Sequence, residues 1–279
     1  MCPKLFQIGP IPVYSFGLMV AISFLVANYF FTKEIQRKGY SEELASTLTI
    51  FAFFFGLLGS KLFSIFENFS EFLADPVGTF FSPAGLTFYG GLLLTIVAIL
   101  IYVRKKNVPF LKVADAASPS LIIAYGLGRL GCHFAGDGDY GLPSKLPWAM
   151  GYPRGTVPTL SEKNPELAEA FKNMYPGEAL PYDIMVHPTP IYELLACVAI
   201  FALLWKLRLK PREAGWLFGL YLIFAGIERL LVEFIRLNPL YAGLSQAQWI
   251  SIGMIIVGSF MVLKRNSTVT SDKPVLKTL

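Results

Sequence analysis

Gly215-Trp216-Leu217-Phe218-Gly219-Leu220-Tyr221-Leu222-Ile223-Phe224-Ala225-Gly226-Ile227-Glu228-Arg229-Leu230-Leu231-Val232-Glu233-Phe234-Ile235-Arg236 reads as a membrane span with four charges set into its second half. An ionised side chain at the centre of a bilayer costs about 2.5–3.5 kcal/mol on insertion scales, so such residues face a protein interior or a wet cavity and point to function. In a continuous helix Arg229, Glu233 and Arg236 stand at i, i+4 and i+7 and share one face. Glu228 lies about 100° round from Arg229 and need not share that face. The bland reading of the same residues is an Arg229–Glu233 pair, with Arg236 snorkelling to the interface.

The whole chain is of this kind. Its residues are 54% hydrophobic and only 15% charged, and mean hydropathy is +0.54, far more apolar than a soluble domain. Seven apolar runs of membrane-crossing length stand out, at 14–31, 44–65, 86–103, 114–134, 189–205, 215–236 and 246–263. The fourth carries Pro119, Gly126, Gly128, Arg129 and Gly131, which a span tolerates where neighbouring helices satisfy the freed backbone groups. The expected fold is an all-α integral membrane protein: one polytopic domain over residues 1–279, with seven transmembrane helices.

Basic residues orient the bundle. Lys33, Arg37 and Lys38 follow the first run, and Arg104, Lys105, Lys106 and Lys112 follow the third. Lys206, Arg208, Lys210 and Arg212 follow the fifth, and Lys264 and Arg265 the seventh, whereas the loops 68–84 and 238–245 hold no Lys or Arg. The positive-inside rule then puts the N-terminus outside and the C-terminus in the cytoplasm, with 135–186 as a small extracytoplasmic head. The net charge of +5 is accordingly a topology signal and not a nucleic-acid footprint. No cleavable signal peptide is expected, because the basic cluster follows the first apolar run instead of preceding it. Cys2, Cys132 and Cys197 are too widely spaced for a disulfide framework or a zinc knot, and His133 and His187 form no local metal motif. No metal and no cofactor is expected.

With that topology, four spans deliver polar residues to the outer level of the membrane. The sixth brings Arg229, Glu233 and Arg236; the fourth brings Arg129, Cys132 and His133. The third and fifth begin there with Tyr89-Gly90-Gly91 and with His187-Pro188-Thr189-Pro190-Ile191-Tyr192-Glu193. Glu193, about a turn inside its span, wants a cationic or hydrogen-bonding partner, and Arg129 and Arg229 are available. Lys61 and Glu67 are read as snorkelling. In the head, Gly136-Asp137-Gly138-Asp139-Tyr140-Gly141 is rich in turn residues, and its commoner reading is a flexible loop after a helix. Asp137 and Asp139 do not meet a calcium-loop pattern. Residues 161–175 read as a short amphipathic helix with Leu167, Ala170, Phe171 and Met174 on one side, packing on the head.

These residues resemble a known family. Gly128-Arg129-Leu130-Gly131-Cys132-His133-Phe134-Ala135-Gly136, with Gly141 beyond, is similar to the signature of the prolipoprotein diacylglyceryl transferases, which usually reads Gly-Arg-x-Gly-Asn-Phe-x-Asn-Gly with a closing glycine. Ile8-Gly9-Pro10, Phe16-Gly17-Leu18-Met19, Phe88-Tyr89-Gly90-Gly91, His187 to Glu193, the Arg229/Glu233/Arg236 set and Leu244-Ser245-Gln246 through Ser251 match in the same order. The resemblance implies a seven-span enzyme of the bacterial cytoplasmic (inner) membrane. It would move diacylglycerol from phosphatidylglycerol to the lipobox cysteine of a preprolipoprotein signal peptide and release glycerol phosphate. The family's essential arginines carry over to Arg129 and Arg229, and its further arginine to Arg236. The chain also departs from the pattern. Tyr89 stands where the family usually has histidine, Cys132 and Ala135 replace the two asparagines, His133 replaces the phenylalanine, Phe16 stands for a tyrosine, and one extra residue separates Gly136 from Gly141.

The chemistry fits from the other side. An arginine fork matches phosphate bidentately and neutralises charge as the leaving group departs. A thiol of pKa about 8.5 needs a base near neutrality, and candidates are His133 and His187 first, then Glu193, or Tyr89 within a network. The expected catalytic residues are Arg129, Arg229, Tyr89, His133 and His187. The expected substrate-binding residues are Arg129, Arg229, Arg236, Glu233, Glu193, Gly90, Gly91, Cys132, Gly136 and Gly141. Two other classes compete: a catalytically silent paralogue that binds anionic lipid or lipoprotein precursors, and a small transporter. A transporter would show repeated broken helices and a polar path across the membrane, and neither is visible in the sequence.

Overall fold

The computed structural model describes residues 1–9, 11–82 and 87–265. Pro10, the close of the 68–84 loop and Leu86 at the expected start of the third span lie outside the described residues. Among the described residues, six helices are long and apolar enough to cross a membrane: α1 (Ser15–Arg37), α2 (Glu42–Glu67), α5 (Phe88–Lys105), α6 (Phe110–Ala135), α8 (Thr189–Leu207) and α10 (Gln246–Lys264). Leu25, Ile50, Phe66, Leu195, Ile256 and Leu263 stand exposed on them, which suits helices facing lipid. The chain is therefore a mostly helical, multi-pass membrane protein. Two short antiparallel hairpins were not anticipated, β1 (Lys4–Ile8) with β2 (Ile11–Tyr14), and β3 (Leu240–Tyr241) with β4 (Leu244–Ser245).

The sixth apolar run forms α9 (Trp216–Glu233), whose Glu228, Arg229 and Glu233 set it apart from those six. It ends earlier than expected. Phe234, Ile235 and Arg236 donate backbone bonds to Leu231, Val232 and Glu233, a tightened last turn, and the Leu142 N–H, from the segment after α6, donates to the Ile235 carbonyl at 2.8 Å. Arg236 thus lies beyond the helix, paired with Gly141 in an isolated bridge, and not on a continuous α9 face.

The chain divides into two compact bodies, residues 1–30 with the described part of 117–273, and residues 31–116. The division falls within α1 and within α6. In the larger body α9 and α10 cross closely at small residues. A Cβ on Gly226 would stand 2.9 Å from the Ser251 carbonyl, and one on Gly258 2.6 Å from the Gly219 carbonyl. Small residues let backbones approach in membranes, where packing rather than water expulsion joins helices. Helix α10 starts in a reciprocal capping box between Ser245 and Gln248.

Between α6 and α8 the chain builds a small apolar core of its own. Tyr140, Tyr152, Leu167, Ala168, Phe171, Ile184 and Val186 are buried together. The amphipathic helix forms there as α7 (Pro165–Met174), capped by the Asn164 side chain, and buries Leu167, Ala168 and Phe171. Met174, expected on the packed side, is exposed, because the buried stripe runs one position earlier.

In the smaller body α2 is capped by Ser41 and packs against α5. Short helices α3 (Phe69–Ala74) and α4 (Pro76–Phe81) follow α2, the second capped by Asp75 with Pro76 in its first turn. Lys61 is not snorkelling as expected: it is buried, and its ammonium donates to the Ser82 carbonyl at 2.9 Å. Glu67 accepts from the Thr87 hydroxyl at 2.7 Å.

Candidate active site

Helices α6 and α8 come together where Gly126 meets Cys197; a Cβ on that glycine would stand 2.7 Å from the Cys197 Cβ. Within about one turn of this crossing stand Arg129 on α6 and Glu193 on α8. Pro190 sits in the first turn of α8, where its missing N–H removes no helical bond. Glu193 is fully buried. One of its oxygens pairs with Arg129 Nε and accepts from the Tyr125 hydroxyl at 3.0 Å. The other lies 3.3 Å from Arg229 Nη1 and 3.2 Å from Arg236 Nη1. A single carboxylate thus meets all three arginines.

The arginines have further partners. Arg229 Nη2 lies 2.7 Å from Glu233, the i,i+4 pair of the sequence, and Asn238 donates to Glu233 at 2.6 Å. Arg129 and Arg236 each pair with Asp139, through opposite oxygens of its carboxylate. Arg236 Nε stands 4.0 Å from Glu233 and closes the circuit. The order around it is Arg129, Glu193, Arg229, Glu233, Arg236, Asp139 and back to Arg129. Three positive and three negative groups alternate, so the formal charge of the ring is zero. The Arg129 guanidinium also lies 4.8 Å from the centre of the Tyr125 ring, a cation–π contact. Burial alone would push the Asp139 carboxyl up, but Arg129 and Arg236 outweigh it and hold the group below the usual carboxylate range.

Asp139 arrives there on the glycine-rich turn after α6. Gly136 and Gly138 have φ of +58° and +93°, the left-handed region in which a side chain is strained. Gly141 is needed for a different reason: a Cβ there would lie 2.4 Å from the Ile235 carbonyl and 2.8 Å from Thr189. Its backbone N–H donates to the His187 carbonyl at 2.9 Å, and it pairs with Arg236, so this one residue docks the turn against both α8 and the end of α9. The Thr189 hydroxyl donates to the Asp139 carbonyl at 2.5 Å.

The two histidines have local partners. His133 Nδ1 lies 3.0 Å from the Tyr152 hydroxyl, and His187 Nδ1 3.4 Å from the Tyr192 hydroxyl, which itself accepts from Trp148 at 2.7 Å. Burial lowers the His187 pKa below its ordinary value and raises that of Tyr140 to about 12. Cys132 is buried, with its sulfur and the carboxylates of Asp137 and Asp139 within 4.8 Å of one another. A cation there would have to share Asp139 with two guanidiniums, an unfavourable arrangement.

In the smaller body Tyr89, Gly90 and Gly91 open α5. The glycines turn their bare Cα atoms to α2, where a Cβ on Gly90 would meet the Gly59 carbonyl at 2.5 Å and one on Gly91 the Gly56 carbonyl at 2.6 Å. Tyr89 is partly exposed.

Sequence reasoning missed Asp139 and Tyr125 as members of this cluster. It also left Glu228 without a place. That residue is buried, and its Oε1 has no hydrogen-bond partner among the described residues. The available signal was a count: Arg129, Arg229 and Arg236 gather here, and Glu193 and Glu233 balance only two of them unless Glu228 joins.

Comparison with known proteins agrees with the motifs. Residues 3–264 match the family model described as prolipoprotein diacylglyceryl transferase. A protein of Clostridium tetani named phosphatidylglycerol–prolipoprotein diacylglyceryl transferase is 32% identical, over 94% of this chain and 96% of its own length. Proteins of the same name from Bordetella bronchiseptica and Vibrio cholerae are 32% and 34% identical, again over 94% of this chain and over 94% and 90% of theirs. With the match running through every span and the arginine cluster alike, the chain belongs to the prolipoprotein diacylglyceryl transferase family.

Proposed function

We propose that this chain transfers the diacylglyceryl group of phosphatidylglycerol to the thiol of the lipobox cysteine in a preprolipoprotein signal peptide. Sulfur attacks the glyceryl carbon, the C–S bond forms, and the C–O bond to phosphate breaks. Glycerol phosphate leaves with the bonding electrons, and the thiol proton passes to a base. The observation that carries this reading is the convergence of Arg129, Arg229 and Arg236 on one partly buried cluster, a set of planar forks suited to a phosphodiester and to the charge that grows on the leaving group. His133 and His187 are the candidate bases, with Glu193 and Glu233 holding the forks and Cys132, Gly136 and Gly141 shaping the site; Tyr89 keeps the orienting role its motif implies, and Gly90 and Gly91 serve the packing of α5 on α2.

The same reading places seven spans in a bacterial cytoplasmic membrane, with α9 as the charged one. The Lys and Arg pattern supports an outer N-terminus, a cytoplasmic C-terminus and an extracytoplasmic head over 135–186. The test is a purified assay of the full chain with phosphatidylglycerol and a lipobox peptide, read by mass spectrometry. A diacylglyceryl thioether on the cysteine is expected. A folded chain that binds the lipid yet leaves the peptide unmodified would be a silent paralogue.

A further inference from the structure

The ring leaves no net charge for an incoming anion. A phosphodiester gains little from three guanidiniums whose charges are already cancelled, unless one carboxylate gives up its place. Glu193 and Glu233 are poor candidates: their side chains are 0% and 1% exposed, and both are fixed on long helices. Asp139 differs on both counts. Its side chain is 29% exposed, and it sits in the turn 136–141, which holds three glycines, two of them with left-handed backbone.

Its geometry is that of a bridging oxyanion. Oδ2 takes Arg129 Nη1 and Oδ1 takes Arg236 Nη2, one guanidinium for each oxygen, as two phosphate oxygens would. The Arg236 side chain is 6% exposed, and its Nε is buried without a hydrogen-bond partner among the described residues. A larger tetrahedral anion has a donor to reach there that the carboxylate does not use.

We propose that Asp139 is a resident stand-in for the lipid phosphate, and that the phosphodiester of an anionic lipid displaces it from Arg129 and Arg236 as the 136–141 turn moves aside. The pair Arg129 and Arg236 is then the phosphate subsite, and Asp139 is its gate. Exchanging one anion for another keeps the ring neutral, whereas adding a phosphate beside an intact ring would put uncompensated negative charge into a buried cluster. Only an anion that engages both forks opens the turn; a neutral lipid does not. This deepens the transfer reading, from which the lipid is taken as the source of the phosphate.

The test titrates dihexanoyl-phosphatidylglycerol, and separately inorganic phosphate, into the full chain in nonionic detergent, wild type against Asp139→Asn. Loss of the competing charge should tighten lipid binding about tenfold, with a smaller gain for inorganic phosphate. Unchanged or weaker lipid binding overturns the proposal, and a gain for inorganic phosphate alone overturns its lipid assignment. Hydrogen exchange on the wild type keeps the test open if the variant fails to fold. Amides of 137–141 should exchange faster at saturating lipid, and unchanged or slower exchange overturns the exchange of anions. Turnover with a lipobox peptide separates the two readings. Tighter lipid binding by Asp139→Asn with no thioether from wild type sinks the transfer and keeps the gate; thioether without tightening sinks the gate alone.

Discussion

Glu193 lies 3.2 Å from Arg236 across 43 residues of sequence, and the same oxygen reaches Arg229 at 3.3 Å. Removing its charge takes one carboxylate partner from each of three guanidiniums at once, leaving each with Asp139 or Glu233. Breaking one partner of a buried ion pair costs about 3–5 kcal/mol, so Glu193→Gln should lower the unfolding midpoint in detergent sharply. Tyr125→Phe, which removes one neutral donor to the same carboxylate, should cost about 0.5–1.5 kcal/mol. Equal effects of the two variants would deny Glu193 its place as the hub.

Gly141→Ala tests the docking of the glycine-rich turn. The added carbon meets a backbone carbonyl at 2.4 Å, which no side-chain rotation relieves. Overpacking of this kind costs about 1–3 kcal/mol. Because Gly141 pairs with Arg236, transfer activity should fall further than the loss of folded protein explains, as read by activity normalised to the monodisperse fraction. Wild-type activity per folded molecule would uncouple the turn from the site.

Arginine planarity is tested by Arg129→Lys and Arg229→Lys. Lysine keeps the charge and loses the fork. Loss of a charged donor at developing charge typically costs about 10²–10³ in rate, and both variants should show most of it while remaining inserted in the membrane. Full transfer by Arg129→Lys would remove the bidentate account of phosphate binding, and full transfer by Arg229→Lys would remove the role of its fork at the leaving group.

The identity of the base divides His133, His187 and Tyr89. Replacing the true histidine base should cost about 10²–10⁴ and flatten the pH–rate profile, whereas Tyr89→Phe should cost moderately and Tyr89→His should be tolerated. His133→Gln and His187→Gln, measured in turn across pH 5–8, decide it. If neither changes the profile, the proton goes elsewhere.

Asp139 supplies a pH dependence of stability. Its folded-state pKa lies below its unfolded value, since Arg129 and Arg236 outweigh burial. Its stabilisation is therefore fully present above the ordinary carboxylate pKa of about 3.9 and is lost as pH falls through the lower folded value. In lipid-free detergent, the unfolding midpoint of wild type should drop more steeply below about pH 4 than that of Asp139→Asn. Parallel curves would show that the carboxylate is not held by the two arginines.

The membrane helices and the meeting of Arg129, Arg229 and Glu193 were legible in the sequence because hydropathy and buried charge are local signals. Asp139 was not: Arg129 lies ten residues before it but on a helix, with a glycine-rich turn between, and its other partner Arg236 lies 97 residues away. The end of α9 was misjudged for a related reason. Phe234, Ile235 and Arg236 keep the helical pattern of side chains, and it is the pairing of Ile235 and Arg236 with Leu142 and Gly141 that draws the backbone out of the helix. His133 is a candidate base by residue type, and its Tyr152 partner, 19 residues on, carries no local mark in the sequence.

The alternating ring also constrains how the chain is made. Synthesis delivers Arg129 on α6 before any of the carboxylates that surround it here, and Glu193 arrives on α8 only after the intervening fifty-odd residues. An uncompensated charge costs up to about 2.5–3.5 kcal/mol at a helix centre in the bilayer, and less toward the interface to which it can snorkel. Helix α9 brings Arg229 and Glu233 together, one of each sign on adjacent turns, and with Arg236 just beyond its end the buried Glu228 is offset as well, two charges of each sign. Arg129 meets the carboxylate of Asp139 only ten residues on, whereas Glu193 has no cation within a turn of it on α8, so α8 is the segment whose retention depends on partners made before and after it.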